Sequence, residues 1–414
     1  MKRKIIFFNR FYAPDFSATS QILTVVAEGL AEQVDLNVEV VCSRLTYDGQ
    51  KVEGEPVETL NGVTVNRLWS SRFGRGSLVG RIIDYISFYI SAIFYCLFKL
   101  KPGHIYVVKT DPPMLMSVIV FYLRLKKGIT VIWHQDIYPE TAIYLGVPIL
   151  KGRVGGLIVK IRNFSFKRVT YNVVISEAMK RHLLSNGVPA EKISIIENFI
   201  DERKVKPIAI NANSLRSEWG FKDTDFVIGY SGNLGRAHDL NTMMDAAVIL
   251  KSYKDIKFLF IGGGHLRSAL EAESKRLGLN NIITKPYQPF SELSKSLSVA
   301  DVHWLSLRPE LEGLIMPSKF YGIAAVARPM IFVGNKEGDI GGLCSEYNIG
   351  LSVEPGDSEG FAQAVLKLQE NIEDREQMGV FAYKMIHEER SQGQRIDQWK
   401  HLCSEFSQRL DKGL

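Results

Sequence analysis

The segment DVHWLSLRPELEGLIMPSKFYGIAAVARPMIF (301–332) sets an acid, a glycine and a lysine around what reads as a helix start. It runs strand, loop, helix, strand. The amides of Gly313, Leu314, Ile315 and Met316, with the helix start near Pro317–Lys319, can converge on one anion. A helix N-terminus carries partial positive charge and unpaired N–H groups, and Lys319 adds a full charge. Glu312 repels phosphate but accepts a hydroxyl, so an acceptor beside a phosphate nest suits a nucleotide-sugar. A Pro-Ser start equally fits an ordinary capped helix, and the residues alone leave both readings open.

Other loops fall in comparable places. In SGNLGRAHDL (231–240), Gly232 and Gly235 bracket Asn233 and Leu234, and Arg236 follows. Glycines let backbone approach a ligand and an arginine can grip phosphate through paired hydrogen bonds; a plain turn with a surface arginine reads the same way. GGGHLR (262–267) has neither the Walker lysine nor GxGxxG spacing, so it reads as a tight turn packed on its neighbours. WHQDIYPE (133–140) places His134 and Asp136 at a strand end, as sugar-pocket residues or as a satisfied histidine and a capping aspartate. NRFYAPDFSATS (9–20) brings Asp15 and the hydroxyls of Ser17 and Thr19 ahead of a helix.

The elements that must carry these loops are short apolar runs separated by helical patterns. IIFF (5–8), VEVVCS (38–43), HIYVV (104–108), TVIWH (130–134), VVIS (173–176) and ISIIEN (193–198) read as strands, with a helix from Ser20 to Gln33 after the first. The rhythm restarts with DFVIGYSG (225–232), KFLFIGGG (257–264), NIITK (281–285), DVHWLS (301–306) and PMIFVG (329–334). Continuous apolar strands of this kind belong to parallel sheets covered on both faces. The class is therefore α/β: two Rossmann-like, doubly wound domains facing a central cleft, joined through the polar stretch 198–214. Ligands of such sheets bind outside the carboxyl ends of the strands, where every loop above lies. SQGQRIDQWKHLCSEFSQRL (391–410) reads as one amphipathic helix.

Composition agrees. The 414 residues are 46% apolar and 23% charged, enough for two or three domains with sizeable cores. A net charge of +6 suits anionic ligands or an anionic membrane surface, and no nucleic-acid signature accompanies it. Four cysteines without a CxxC pair read as thiols in a reducing compartment. The basic, apolar N-terminus has too short an apolar core for a signal peptide and reads as a first buried strand. RIIDYISFYISAIFYCLFKLK (81–101) is apolar on nearly all faces, broken by Asp84 and flanked by Arg72, Arg75, Arg81, Lys99 and Lys101. It can be a bilayer span, a helix lying in the membrane interface, or a helix buried under the sheet.

Taken in order, NFID at the linker, YSGNLGRAHDL, FIGGGHLRSALEA, LEG…PSKFYG and GLSVEPGD resemble the retaining glycosyltransferases of family 4, which have the GT-B fold. The resemblance covers nearly the whole chain. QDIYPE, GNLGRAHDL and PSKFYG are similar to the WbuB-like enzymes of O-antigen and exopolysaccharide assembly. It implies an acceptor-binding domain at 1–202, a nucleotide-sugar-binding domain at 203–388, and a helix at 389–414 crossing back to the first. It implies transfer of a sugar, such as an N-acetylated deoxyhexosamine, from a nucleotide-sugar (UDP-linked by expectation) to a lipid-diphosphate-linked saccharide. The setting it implies is cytoplasmic, peripheral to the inner face of the cell membrane through 72–101, with no metal, no cofactor and no nucleic acid.

By position, the resemblance makes Arg236 and Lys319, with Gly232, Asn233 and the amides of Gly313, Leu314 and Ile315, the donor diphosphate site. Tyr287 lies in the loop holding the base, Glu312 touches the donor sugar, and Asp136 or His134, with Ser17 and Thr19, lines the sugar and acceptor pocket. Asp136, Glu312, Arg236 and Lys319 carry the catalytic expectation. The chain departs from the family in three places: Ser318 and Phe320 stand eight residues after Glu310 and Glu312, with Gly322 in the ribose-binding glutamate's place; PDFSATS replaces a Gly-Gly; and Asn233 replaces a basic residue. A nucleotide-sugar 2-epimerase of the same fold and a non-catalytic scaffold subunit are the rival readings.

Overall fold

The computed structural model describes residues 3–32, 37–74, 77–150 and 152–412. Arg75 and Gln33 therefore lie outside the described residues. The chain forms two compact units: Met1–Asn198 with Gly313–Met316 and Gly393–Leu414, and Phe199–Glu312 with Pro317–Gln392.

The first unit begins β1 (Lys4–Phe8), α1 (Ala18–Ala31), β2 (Asn37–Ser43), β3 (Val57–Leu60), β4 (Val63–Leu68) and α2 (Leu78–Phe98). It continues β5 (Ile105–Lys109), α3 (Leu115–Leu125), β6 (Ile129–Trp133), α4 (Glu140–Tyr144), α5 (Arg153–Arg168), β7 (Tyr171–Val174), α6 (Glu177–Ser185) and β8 (Ile193–Ile195). The sheet order is β3-β4-β2-β1-β5-β6-β7-β8. All neighbours are parallel except β3, which turns back on β4. IYVVK and ITVIW are buried at every residue, as strands covered on both faces must be.

The β3–β4 hairpin is absent from the sequence reading. Val57–Leu60 alternates exposed and half-buried residues, too short and too wet to register as an apolar run. Its turn does carry a signal, because Asn61 and Gly62 both have positive φ (48° and 82°). A two-residue Asn-Gly loop is the preferred hairpin connection for that reason.

The second unit contains α7 (Ser214–Glu218), β9 (Phe226–Ser231), α8 (Asn241–Ile249), β10 (Ile256–Ile261), α9 (Arg267–Leu277), β11 (Ile282–Lys285), α10 (Leu293–Ser298) and β12 (Val302–Ser306). Then come α11 (Lys319–Ala325), β13 (Met330–Val333), α12 (Asp339–Tyr347), β14 (Gly350–Val353), α13 (Ser358–Glu370) and α14 (Ile372–Lys384). Its sheet is parallel throughout, in the order β11-β10-β9-β12-β13-β14. Strand order reverses between β9 and β12 here, and between β1 and β5 in the first sheet. Those reversals open a crevice at the carboxyl ends of the strands.

The last helix, α15 (Gln392–Asp411), belongs to the first unit from Gly393 onward. Trp399 is fully buried, its ring 4.7 Å from Trp133 and 6.1 Å from Phe7, and Phe406 lies 5.3 Å from Tyr171. All four cysteines are buried thiols.

The helix expected at 81–101 is α2. Its 21 residues are long and apolar enough to cross a membrane by length and composition, and 33% of the most apolar stretch is buried. Phe88, Ala92, Tyr95 and Cys96 face the sheet. Ile83, Ile86, Ile90, Phe94 and Leu97 recur at helical spacing on the exposed side. A helix wholly buried under the sheet is thus ruled out. Asp84 does not break it: the carboxylate is 3% exposed and accepts hydrogen bonds from the Ser71 hydroxyl and the Phe73 and Gly74 amides.

Candidate functional site

The second sheet's reversal point holds the better-formed site. The loop leaving β9 is locked to the loop leaving β10: the Gly232 amide donates to Ile261, the Leu234 amide to Gly263 (2.7 Å) and the Leu266 amide to the Leu234 carbonyl. A Cβ on Gly264, whose φ is 124°, would stand 2.5 Å from the Leu234 amide and carbonyl. GGGH is therefore the tight packed turn the sequence indicates.

Lys319, first residue of α11, reaches into an open cavity of about 790 Å³ lined by Ser231, Gly232, Tyr287, Trp304, Ser318 and Gly322 among others. A Cβ at Gly232 would lie 2.8 Å from the Lys319 Cε. A side chain at that position, whose φ is 124°, would displace the lysine's end from its present place. The Lys319 Nζ stands 3.3 Å from His238 Nε2 and 5.2 Å from the centre of the Tyr230 ring. His238 Nδ1 lies 2.7 Å from the Ser306 carbonyl, which can only accept. The proton therefore sits on Nδ1, and the bare Nε2 accepts from the ammonium. Burial, then the nearby Lys319 charge, pushes the His238 pKa down to about 3, so the ring stays neutral. Burial lowers Lys319 to about 8. His238 is a site residue the sequence reading named only as part of a motif; its place in the loop after a reversal-point strand was the available signal.

The remaining expected donor residues disperse. Arg236 is exposed and lines an adjoining cavity with Asp239, Arg308, Glu310 and His238, the residue that Lys319 touches. Asn233 is exposed and its carbonyl accepts from the Tyr230 hydroxyl. Tyr287 is exposed at the cavity edge, its ring against Gly262 and Gly263. Glu312 turns from the cavity, its Oε1 accepting from the Asp339 amide (2.8 Å) at the start of α12. That contact places the carboxylate at the start of α12. Gly313, Leu314 and Ile315, the expected nest, group with the first unit, where the Leu314 carbonyl accepts from the Ile137 amide. Gly322 lines the cavity, and a Cβ there would meet Leu297 and Ile200 at 3.3 and 3.5 Å.

In the first unit Asp136 lies beside a narrow cavity with Lys109, Thr110, Tyr138 and Arg162. The Gln135 and Asp136 amides donate to the Thr110 hydroxyl. Burial first, then Asp111, raises the Asp136 pKa to about 6, against the pull of Lys109. Lys109 is 0% exposed; its Nζ donates to the Thr19 carbonyl (2.9 Å) and sits 4.0 Å from the Trp133 ring centre. Burial lowers it to about 7, while Asp111 and Asp136 hold it up. Thr19 reaches Asp111 through its hydroxyl (3.4 Å), and Ser17 donates to Asp15. His134 is corrected to a core residue: fully buried, its Nε2 3.0 Å from the Asn172 side-chain oxygen and its ring 4.5 Å from Phe166. Burial lowers it to about 3.

Known proteins share this organisation. Residues 23–204 match the family described as Glycosyltransferase Family 4, and residues 211–385 that described as Glycosyl transferases group 1. WcaI of Escherichia coli (strain K12), named as a colanic acid biosynthesis glycosyl transferase, is 24% identical over 72% of this chain and 76% of its own. WbjE of Pseudomonas aeruginosa, named as a glycosyltransferase, is 25% identical over 64% of this chain and 66% of its own. The crystal structure of Anabaena HepE in complex with UDP superposes with a TM-score of 0.71, covering 97% of this chain and all of that one at 13% identity. That likeness fixes the fold as GT-B.

Proposed function

The chain belongs to the family 4 glycosyltransferases of GT-B fold, and from that premise we propose that it moves a sugar from a UDP-linked donor to a lipid-diphosphate-linked saccharide, with retention and without a metal, in assembling a bacterial surface polysaccharide. The glycosyl transfer and its polysaccharide setting follow from the family and the relatives; UDP is favoured by the ligand of the HepE structure. The observation that carries the site is Lys319, aimed by His238 past Gly232 into the cavity at the second reversal point.

Breaking the bond between the anomeric carbon and the β-phosphate leaves its electron pair on the diphosphate oxygen. A buried ammonium stabilises that growing charge more than it stabilises intact donor, which is what lowers a barrier. The acceptor oxygen bonds to the anomeric carbon on the face the diphosphate leaves, and its proton passes to the departing phosphate oxygen. Arg236, at the neighbouring cavity, adds long-range positive potential. Tyr287 would stack the base, and Asp136 would accept sugar hydroxyls. The exposed apolar stripe of α2, with Arg72, Arg81, Lys99 and Lys101 around it, would hold the enzyme on the cytoplasmic face of the membrane.

Calorimetry with UDP in a chelator, on wild type beside Lys319→Ala, tests the donor site. Turnover of a UDP-sugar with a polyprenyl diphosphate saccharide then separates an enzyme from a binding-only subunit. UDP that fails to bind, or binds both proteins equally, removes the donor reading.

A further inference from the structure

The first sheet has a second cavity that the donor chemistry does not use. It measures about 650 Å³ and is lined by Arg10 from the loop after β1, Thr46 and Asp48 from the loop after β2, Arg72 after β4, and Arg81 and Asp84 on α2. Three guanidinium groups thus border one space at the carboxyl ends of adjacent strands.

Arg10 is 6% exposed and held rigidly, its guanidinium 5.2 Å from the Phe11 ring centre and 5.0 Å from that of Tyr85, with Asp84 at 3.7 Å. Asp84 pairs with Arg10 and accepts from three further donors, so the two charges of that pair offset one another in the lining. Arg72 and Arg81 therefore add two positive charges to a lining whose other carboxylate is the exposed Asp48. The loop bearing Thr46 and Asp48 is fixed from below, because the Tyr47 amide donates to Asp15. Arg81 lies in the first turn of α2, and the exposed apolar stripe runs along the same helix for the rest of its length. At 1.5 Å per residue that stripe extends roughly 24 Å from the cavity.

We propose that the Arg10–Arg72–Arg81 cavity binds the phosphate groups of the acceptor's anionic head, with the lipid lying along α2. This rests on the reading of a lipid-diphosphate acceptor. Guanidinium groups match phosphate oxygens two at a time, and three of them around one space can grip a diphosphate.

The full-length chain, saturated with UDP so that the second sheet's cavity is occupied, is titrated with inorganic pyrophosphate. Arg72→Gln and Arg81→Gln should each weaken pyrophosphate about tenfold, the loss of one charge-assisted contact, with UDP affinity at the wild-type value. Phosphatidylcholine vesicles carrying a polyprenyl diphosphate should bind wild type better than vesicles given equal charge with phosphatidylglycerol, and either substitution should erase that preference. Pyrophosphate that does not bind, or binds all three proteins alike, overturns the site. Arginine-dependent pyrophosphate binding without a vesicle preference upholds the anion site and overturns the lipid-linked acceptor.

Discussion

Lys109 and Lys319 are both lysines withdrawn from water, one in each unit, and the protein satisfies them in opposite ways. Lys109 is sealed: a carbonyl, an indole face and the charges of Asp111 and Asp136 surround it. Lys319 has a neutral imidazole as its hydrogen-bond partner and an open cavity in front. A buried ammonium compensated from within holds structure together; one answered only by a neutral acceptor favours an anion from outside. Position at a strand's carboxyl end is common to both, so position alone does not distinguish scaffold from site. The company of each charge does.

The largest effect expected from breaking this contrast is on folding. Lys109→Met leaves Asp111 and Asp136 without their cation and should cost about 3–5 kcal/mol of stability, read from urea unfolding. Lys319→Met should barely move that transition, yet weaken UDP by about 1.5–3 kcal/mol, or ten- to a hundredfold, in calorimetry. An equal stability loss in both variants would erase the distinction.

Proton linkage sharpens it. Diphosphate binds the charged form of Lys319, whose pKa in the empty site is lowered to about 8. UDP affinity should therefore hold below pH 8 and fall above it, by at most about tenfold per pH unit, and Lys319→Met should flatten the profile. The smallest effect belongs to His238→Ala, which removes the acceptor that orients Lys319. It should weaken UDP a few-fold, about 0.5–1.5 kcal/mol, while leaving the pH dependence in place.

The same contrast marks what could be read from sequence. IIFF, HIYVV and TVIWH announce parallel strands because both faces are buried, so every position must be apolar. Lys109 closes one of those runs and reads as a strand end meeting water; its Trp133 and Thr19 neighbours come from distant segments. His134 sits at a strand end too, but its ring direction depends on Asn172, 38 residues away. The place of Lys319 at a helix start was legible because Pro-Ser-Lys is local chemistry. The hydrogen bond of Glu312 was not, since its partner Asp339 arrives only when α12 packs beside it. GLSV (350–353) was quoted as a motif without being recognised as the edge strand β14.

The placement of α15 has a consequence for how the molecule is made. Trp399 fills the space between Phe7 and Trp133, yet it is synthesised after the entire second unit. At about 5–20 residues per second, the stretch from Asn198 to Gly393 occupies a ribosome for roughly 10–40 s. Throughout that interval Trp399 is not yet available to Phe7 and Trp133. The second unit, whose segments lie between Phe199 and Gln392, has all its strands in hand before the first can finish. The half of the protein that is translated first is thus the half that matures last.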